Sequence, residues 1–121
     1  MIILYVAEQE FSKIFYAKVL GLQPRLHDKG MTELALGSYF VLGLMPENGI
    51  ARIPVPFTPH PASGNGIPRT DLYLFVDNPT TTLELALPAG AKLISTAQKR
   101  DWGDAVAYCA DSDGHNLAFA K

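Results

Sequence analysis

A strand, a helix and a glycine occur twice along this chain in nearly the same register, and this repeat is the strongest constraint on its fold. In the first copy, an aliphatic segment ending at Val6 precedes a helical segment and Gly21. In the second copy, a segment ending at Val76 precedes a helical segment and Gly90. The valine and the glycine are fifteen positions apart in the first copy and fourteen in the second. An internal duplication of this kind predicts two similar structural units.

The first helix is predicted over residues 8–20, because apolar residues recur there at three- and four-residue spacing. Acidic residues lie near its start, Lys18 lies near its end, and Gly21 follows as a C-cap, which suits the helix dipole. The residues predicted to form its apolar stripe are Phe11, Ile14, Phe15 and Val19.

Short apolar segments separated by turn signals predict the strands of both copies. The first copy opens with a strand over 2–6, and three more follow the helix, over 22–27, 31–36 and 39–45. The second copy has a predicted helix over 79–87 that opens with a proline, and predicted strands over 71–76, 91–95, 105–110 and 115–120. Each copy therefore reads β-α-β-β-β.

The segment between the copies is rich in residues that disfavour regular structure. Residues 46–68 contain six prolines and three glycines, so regular structure is not expected there. We expect a single domain over residues 1–121 that consists of a first module, 1–45, a linker, 46–69, and a second module, 70–121.

Composition excludes several classes of partner. The formal charge is -2 and the basic residues are scattered, so nucleic acid is not expected as a partner. The apolar runs are too short to cross a membrane, and residues 1–6 lack the features of a signal peptide, so we expect a cytoplasmic protein. Cys109 is the only cysteine, which excludes an internal disulfide, and its strand-like surroundings indicate a small buried hydrophobe.

Particular residues accompany the repeat. Those of the first copy are Val6-x-Glu8, Ser12, Phe15-Tyr16 and Val19-Leu20-Gly21-Leu22. Those near the end of the second copy are Arg100-Asp101-Trp102-Gly103-Asp104 and Asp111-Ser112-Asp113-Gly114-His115-Asn116-Leu117-Ala118-Phe119. In this order the chain resembles the vicinal oxygen chelate superfamily, which includes glyoxalase I, extradiol dioxygenases, fosfomycin resistance enzymes and bleomycin resistance proteins.

The resemblance implies an α+β fold of two tandem βαβββ modules. Each module would curl a mostly antiparallel four-stranded sheet into half of a cup or incomplete barrel. The two halves would then enclose a metal or ligand site. We therefore expect any function to lie in a small-molecule cavity between the modules.

The resemblance also implies three metal-ligand positions, which fall here on Met1, Asp71 and Ala118. The family uses His, Gln or Glu there. Methionine suits soft metals and alanine binds none, so only Asp71 could bind a hard metal, whereas an open catalytic site needs about three protein ligands. We therefore expect that the metal site is lost and that the protein has no cofactor.

Other candidate metal ligands are not arranged as a site. The three histidines, His27, His60 and His115, form no pair with metal-ligand spacing. The motif Asp111-x-Asp113-Gly114 lacks the further ligands of a calcium loop and predicts a turn.

Alternation along the fifth strand predicts that Asp71, Tyr73 and Phe75 face the cavity, while the residues between them face the helix. Asp71 is the strongest candidate for a functional residue in the cavity, because a carboxylate among apolar groups must be paired, hydrogen-bonded or protonated. It could hold a cationic or hydroxylated ligand or act as a general base. Alternatively, it is a strand-end aspartate that is solvated or paired with Arg69 or another arginine.

Three further residues complete the predicted ligand-binding set. Glu33 could point into the cup and form an acid/base pair with Asp71, or it could face solvent. Trp102, in a loop beside Gly103, could cap a planar ligand, and Tyr108 could add a phenolic hydrogen bond. Alternatively, both aromatic residues fill the core.

The preferred functional hypothesis is a binding protein, similar to the bleomycin resistance branch, that holds a small, partly aromatic or apolar molecule without a metal. One alternative is an enzyme of the same superfamily, a lyase, isomerase or dioxygenase, that uses Asp71 or Glu33 with a metal or as acid and base. Another is a protein-interaction dimer whose cavity is closed. A homodimer is expected under every hypothesis, because proteins of this family often pair their modules between two chains.

Overall fold

The structure is a computed structural model that describes residues 1–52, 59–68 and 70–121. These residues form two compact units, Met1–Asn65 and Gly66–Lys121. Most of the proposed linker's proline-rich centre, 53–58, and also Arg69 lie outside the described residues.

The first unit is a four-stranded sheet with a helix after its first strand. Its strands have the order β1-β4-β3-β2 in the sheet; β1 and β4 are parallel and the other pairs are antiparallel. The elements are β1 (Ile2–Val6), α1 (Gln9–Leu20), β2 (Leu26–Asp28), β3 (Met31–Leu36), β4 (Phe40–Pro46), α2 (Glu47–Ala51) and a 3₁₀ helix (Pro61–Gly64).

The second unit repeats this topology. The sheet order is β5-β8-β7-β6, again with one parallel pair, β5 with β8. Its elements are β5 (Asp71–Phe75), α3 (Pro79–Ala86), β6 (Lys92–Lys99), β7 (Ala105–Ala110) and β8 (Asn116–Ala120). Both sheets are open and mostly antiparallel, so the prediction of an α+β fold with two βαβββ modules is confirmed.

Helix α1 buries a different stripe from the predicted one. Phe11 and Ile14 are 48% and 58% exposed, and this part of the prediction was wrong. The four side chains that are buried have the spacing i, i+3, i+4, i+7, which places them on one helical face, and they are Ser12, Phe15, Tyr16 and Val19. The helix ends as predicted at Gly21, which has a φ of 66° and donates its backbone N–H to Ala17.

Helix α3 begins where a cap satisfies its first backbone N–H groups. The side chain of Asn78 accepts hydrogen bonds from the N–H groups of Thr80 and Thr81, and Pro79 occupies the first helical turn. The helix packs against β6, β7 and β8. Leu83 and Ala86 are its buried apolar residues besides Pro79.

Regular structure is also present where none was expected. Helix α2 follows Pro46, and the 3₁₀ helix begins at Pro61, so the expectation of an irregular segment over 46–68 was wrong at these two places. The reason is the position of the prolines. Pro46 precedes α2 and Pro61 stands at the start of its helix, where the missing N–H has no intrahelical acceptor.

Two strands differ in length from the prediction. The strand expected over 22–27 is limited to β2, because Pro24 lacks the N–H needed for pairing. Strand β6 extends beyond the expected 91–95 as far as Lys99, with register shifts after Leu93 and Ser95. No helix among the described residues has the length and apolar character needed to cross a membrane.

Candidate functional site

One face of the second sheet brings predicted site residues together. Tyr73 is paired with Ala118, which is paired in turn with Tyr108. Because residues directly opposite each other on neighbouring strands point to the same face, these three form one row across the sheet. Asp71 and Phe75, two positions either side of Tyr73, lie on the same face.

The middle residue of this row has a small side chain. Ala118 contributes only a methyl group between two tyrosines whose strands lie about 10 Å apart, two strand spacings. Tyr108 is partly buried and packs on a small apolar cluster formed by Val106, Ala118 and Ala120. The centre of this face is therefore made of buried alanine and valine side chains, and an aromatic ring lies on each side of it.

The rings on β5 are exposed rather than part of the core. Phe75 is 76% exposed and Tyr73 is 37% exposed. Their ring centroids are 5.6 Å apart at an interplanar angle of 71°, an edge-to-face contact. An exposed aromatic pair on a sheet is typical of a surface that contacts another molecule.

A tight turn between β6 and β7 places Trp102 beside Tyr73. The Arg100 N–H donates to the Asp104 carbonyl across this turn, and Gly103 adopts a φ of 108°, which favours glycine. The Tyr73 hydroxyl donates to Oδ2 of Asp104 at 2.7 Å and accepts from Nε1 of Trp102 at 3.1 Å. Trp102 remains 60% exposed. Partial desolvation, followed by the hydrogen bond to Asp104, raises the pKa of Tyr73 above its ordinary value.

Arg100, which the sequence reasoning did not select, lies on the Tyr108 ring. Its guanidinium carbon is 5.2 Å from the ring centroid, a cation–π contact. Nη2 donates to Oγ of Ser95 at 2.9 Å and to the Val106 carbonyl at 3.2 Å. The signal available in the sequence was the position of Arg100 at the start of the turn that carries Trp102.

Asp71 is exposed at the end of β5, opposite Asn116. Partial burial raises its pKa above the ordinary value, because desolvation disfavours the charged form. Within residues 1–52, 59–68 and 70–121, no cationic group forms an ion pair with Asp71. The pairing with Arg69 concerns a residue outside the described ones.

Glu33 lies in the first unit and has a partner there. Nε and Nη2 of Arg25 each lie 2.7 Å from its Oε2. On β3 it is opposite Gly43 of β4, which is opposite Ile3 of β1, so these residues share a sheet face. This ion pair makes Glu33 an arginine-bound carboxylate; its role in ligand binding stays a prediction.

The residues at the family's metal positions do not fit a metal centre. Ala118 has no donor atom, and Met1 offers only a thioether, so Asp71 is the single oxygen donor of the three. Three other side chains, Asp111, Asp113 and His115, have ligand atoms within 4.8 Å of one another. Oxygens of Asp111 already accept hydrogen bonds from the backbone of Asp113 and from the backbone and Nδ1 of His115, which holds the turn before β8.

A polar cavity that the sequence reasoning missed lies in the first unit. Its volume is about 610 Å³, and charged and polar residues line it, among them Glu8, Glu10, His27, Asp28, Lys29 and Asn48. Behind it, Nε2 of Gln9 donates to the Asp28 carbonyl and to Oγ1 of the buried Thr32, both at 2.9 Å. The Thr32 hydroxyl also lies 2.8 Å from Nδ1 of His27. This network attaches the first turn of α1 to the β2–β3 hairpin.

Comparison with known proteins identifies one family whose model matches almost the whole chain. A family model described as Glyoxalase/Bleomycin resistance protein/Dioxygenase superfamily matches residues 1–119. No curated protein matches the sequence.

Solved structures share the fold at low sequence identity. A glyoxalase-related enzyme from Fulvimarina pelagi is 23% identical with a TM-score of 0.81, over 98% of this chain and 84% of that one. A glyoxalase/bleomycin resistance protein/dioxygenase family enzyme from Burkholderia phytofirmans PsJN is 15% identical with a TM-score of 0.80, over 98% and 94%. A bleomycin-binding protein complexed with bleomycin is 17% identical with a TM-score of 0.65, over 98% and 93%.

Proposed function

Because the chain belongs to the glyoxalase/bleomycin resistance protein/dioxygenase superfamily, we propose that it binds a small, partly aromatic or apolar molecule without a metal ion. The observation that carries this proposal is the exposed aromatic face of the second sheet, formed by Tyr73, Phe75, Trp102 and Tyr108. A protein of the same fold, at 17% identity, is a bleomycin-binding protein, so the scaffold is compatible with a small-molecule ligand.

The orientation of the rings supports a binding role. Tyr73 is hydrogen-bonded to Asp104 and Trp102. Tyr108 packs on the buried alanine and valine cluster. A ring that is already fixed loses little conformational entropy when a ligand arrives, so contact with it contributes more to affinity. Aromatic pairs add about 0.5–1.5 kcal/mol beyond area burial, which makes a planar ligand the natural partner of this face.

The donor set supports binding without a metal. One carboxylate, Asp71, stands where the family places a ligand, and the residues at the other two positions are Met1 and Ala118. A single exposed carboxylate does not hold a divalent ion in competition with water. Ligand affinity would then come from aromatic contacts and hydrogen bonds.

Binding can be measured through Trp102, the only tryptophan in the chain. We expect 2-naphthol, a planar probe, to change the fluorescence of Trp102 in a saturable titration. Phe75→Ala should weaken binding about two- to tenfold, the range of one aromatic contact. Tyr39→Ala is the matched control, because Tyr39 is 100% exposed in a turn of the other unit. Equal affinity of these two variants would count against the proposed face.

We also propose that the protein forms a homodimer. Strand β1 is an edge strand in which Ile2 and Ile3 are exposed, as is Met1 just before it, and such an edge is commonly covered by another chain. Light scattering after size exclusion should give about twice the chain mass of 13.2 kDa. A mass of one chain at micromolar concentration would contradict the proposal.

A further inference from the structure

The guanidinium of Arg100 lies beside the aromatic face without a carboxylate partner. In the described parts of the chain, no acidic group lies within ion-pair distance of it. Its hydrogen bonds go to neutral oxygens, Oγ of Ser95 and the carbonyl of Val106. By contrast, Arg25 in the other unit is paired with Glu33.

The unmatched charge is partly buried. Nε of Arg100 is buried and makes no hydrogen bond to any described residue. Nη1 is not among the fully buried atoms, and it too makes no hydrogen bond to any described residue. An arginine remains charged at every physiological pH, and a partly desolvated cation is stabilised most effectively by an anion.

We infer that Arg100 recognises a carboxylate on the aromatic molecule of the proposed function, on which this inference rests. The guanidinium carbon lies 5.2 Å from the Tyr108 ring centroid, so a planar ligand that reaches Tyr108 brings its substituents close to the guanidinium. A carboxylate oxygen can accept charge-assisted hydrogen bonds from the N–H groups of Nη1, the nitrogen that is not engaged by Ser95 or Val106. The ligand class is therefore an aromatic carboxylate.

The charges around Arg100 are compatible with this assignment. Asp101 follows Arg100, and Asp104 lies across the turn with its Oδ2 engaged by the Tyr73 hydroxyl. Lys99 precedes Arg100 at the end of β6 and adds a positive charge to this segment. Neither Asp101 nor Asp104 forms an ion pair with Arg100, so the guanidinium can still accept an anion.

The test compares two probes of the same shape, 2-naphthoate and 2-naphthamide, by titration of Trp102 fluorescence at pH 7. We expect naphthoate to bind about fivefold or more tightly than naphthamide in the wild-type protein, since hydrogen bonds to charged groups are the stronger ones. Arg100→Met should bring this ratio to about one, and Arg100→Lys, which keeps the charge but not the planar guanidinium geometry, should leave an intermediate ratio. Lys99→Met is the control and should retain most of the preference.

The outcomes separate the inference from the function on which it rests. If 2-naphthol binds but naphthoate is no tighter than naphthamide in the wild type, Arg100 does not recognise a carboxylate, and the proposed function stands. If none of the three probes binds, the proposed function itself fails. If Arg100→Met does not fold, the wild-type comparison can still overturn the inference, and the ratio in Arg100→Lys tests the residue. An unchanged ratio in a folded Arg100→Met variant would assign the preference to another residue.

Discussion

The phenolic hydroxyl of Tyr73 donates a 2.7 Å hydrogen bond to Oδ2 of Asp104, a residue 31 positions away in the sequence. The hydroxyl oxygen of Tyr73 also accepts a hydrogen bond from Nε1 of Trp102. A single hydroxyl thus attaches the β6–β7 turn to strand β5. The position of Trp102 on the aromatic face depends on it.

Removal of this hydroxyl should release Trp102. In Tyr73→Phe, Nε1 of Trp102 loses its acceptor, so we expect a lower fluorescence anisotropy and a red-shifted emission of this single tryptophan. Affinity for 2-naphthol should fall about two- to tenfold because the face is less preorganised. Tyr39→Phe should change neither signal. Identical emission and anisotropy in Tyr73→Phe and the wild type would show that the hydroxyl does not hold Trp102.

Asp71 should make stability depend on pH in a defined direction. Its folded-state pKa is raised above 3.8 by desolvation, so the folded chain favours the protonated form. The resulting stabilisation is fully present below the unfolded-state pKa and is lost as the pH rises through the folded-state pKa. Asp71→Asn mimics the protonated form. It should therefore raise the free energy of unfolding at pH 7, on the order of a few tenths of a kcal/mol because solvent screens an exposed group.

At pH 3 the advantage of Asp71→Asn over the wild type should disappear. Urea unfolding at both pH values measures the difference, and Asp77→Asn, an exposed carboxylate of the same unit, is the control. A pH profile shared by the two variants would rule out a specific effect of Asp71.

Cys109 should be unreactive while the protein is folded. The thiol is fully buried, and desolvation, with a smaller contribution from the charge of Asp111, raises its pKa to about 11. Because the thiolate is the reactive form, modification by a disulfide reagent at pH 8 should be slower than that of a free thiol by at least about 100-fold. Guanidinium should restore one reactive thiol per chain. Rapid labelling of the folded protein would contradict the burial of Cys109.

Thr32 should stabilise the first unit through its hydroxyl. It is fully buried, accepts a hydrogen bond from Gln9 and contacts Nδ1 of His27. Thr32→Val keeps the shape but removes the hydroxyl that contacts Gln9 and His27, so the free energy of unfolding should fall by about 1–3 kcal/mol. Thr32→Ser should recover part of the loss. Thr96→Val, at an exposed position on β6, is the control, with an expected change below about 0.5 kcal/mol.

Elemental analysis should find little divalent metal in protein purified without chelators or an affinity tag. We expect less than about 0.1 equivalent per chain, since the family positions supply one oxygen donor, Asp71. Native mass spectrometry of the same sample would detect a retained organic ligand. A stoichiometric metal that is lost in Asp71→Asn would favour the enzyme hypothesis over metal-free binding.

Much of the fold could be predicted because local patterns specify it. Period-two alternation on β5 placed Tyr73 and Phe75 on one face, and Gly21 marked the end of α1. Where the prediction was wrong, the local sequence was compatible with two alternative structures. The apolar residues of α1 allow a stripe through Phe11 or one through Ser12, and contact with the sheet selected the second.

The candidate site was predictable only in part. Alternation could place Tyr73 on a sheet face, and the last hairpin could place Tyr108 near β8. The partners of Arg100 could not be inferred, since its guanidinium contacts depend on how the β6–β7 turn folds back over the sheet. Glu33 was considered for catalysis, whereas its ion pair with Arg25 follows from the pairing of β2 and β3, which places Glu33 opposite Leu26, the residue after Arg25.

The sequence by itself determined the duplicated βαβββ order and the face of β5 that carries the aromatic rings, because these follow from periodicity and turn residues along a few consecutive positions. Only the tertiary structure decided that Tyr73, Trp102 and Asp104 meet and that Arg100 lies on Tyr108 with no carboxylate partner among the described residues. Such contacts join residues that are distant in the sequence or depend on the path of a turn. They are selected by the packing and hydrogen bonding of the whole unit, which no local pattern records.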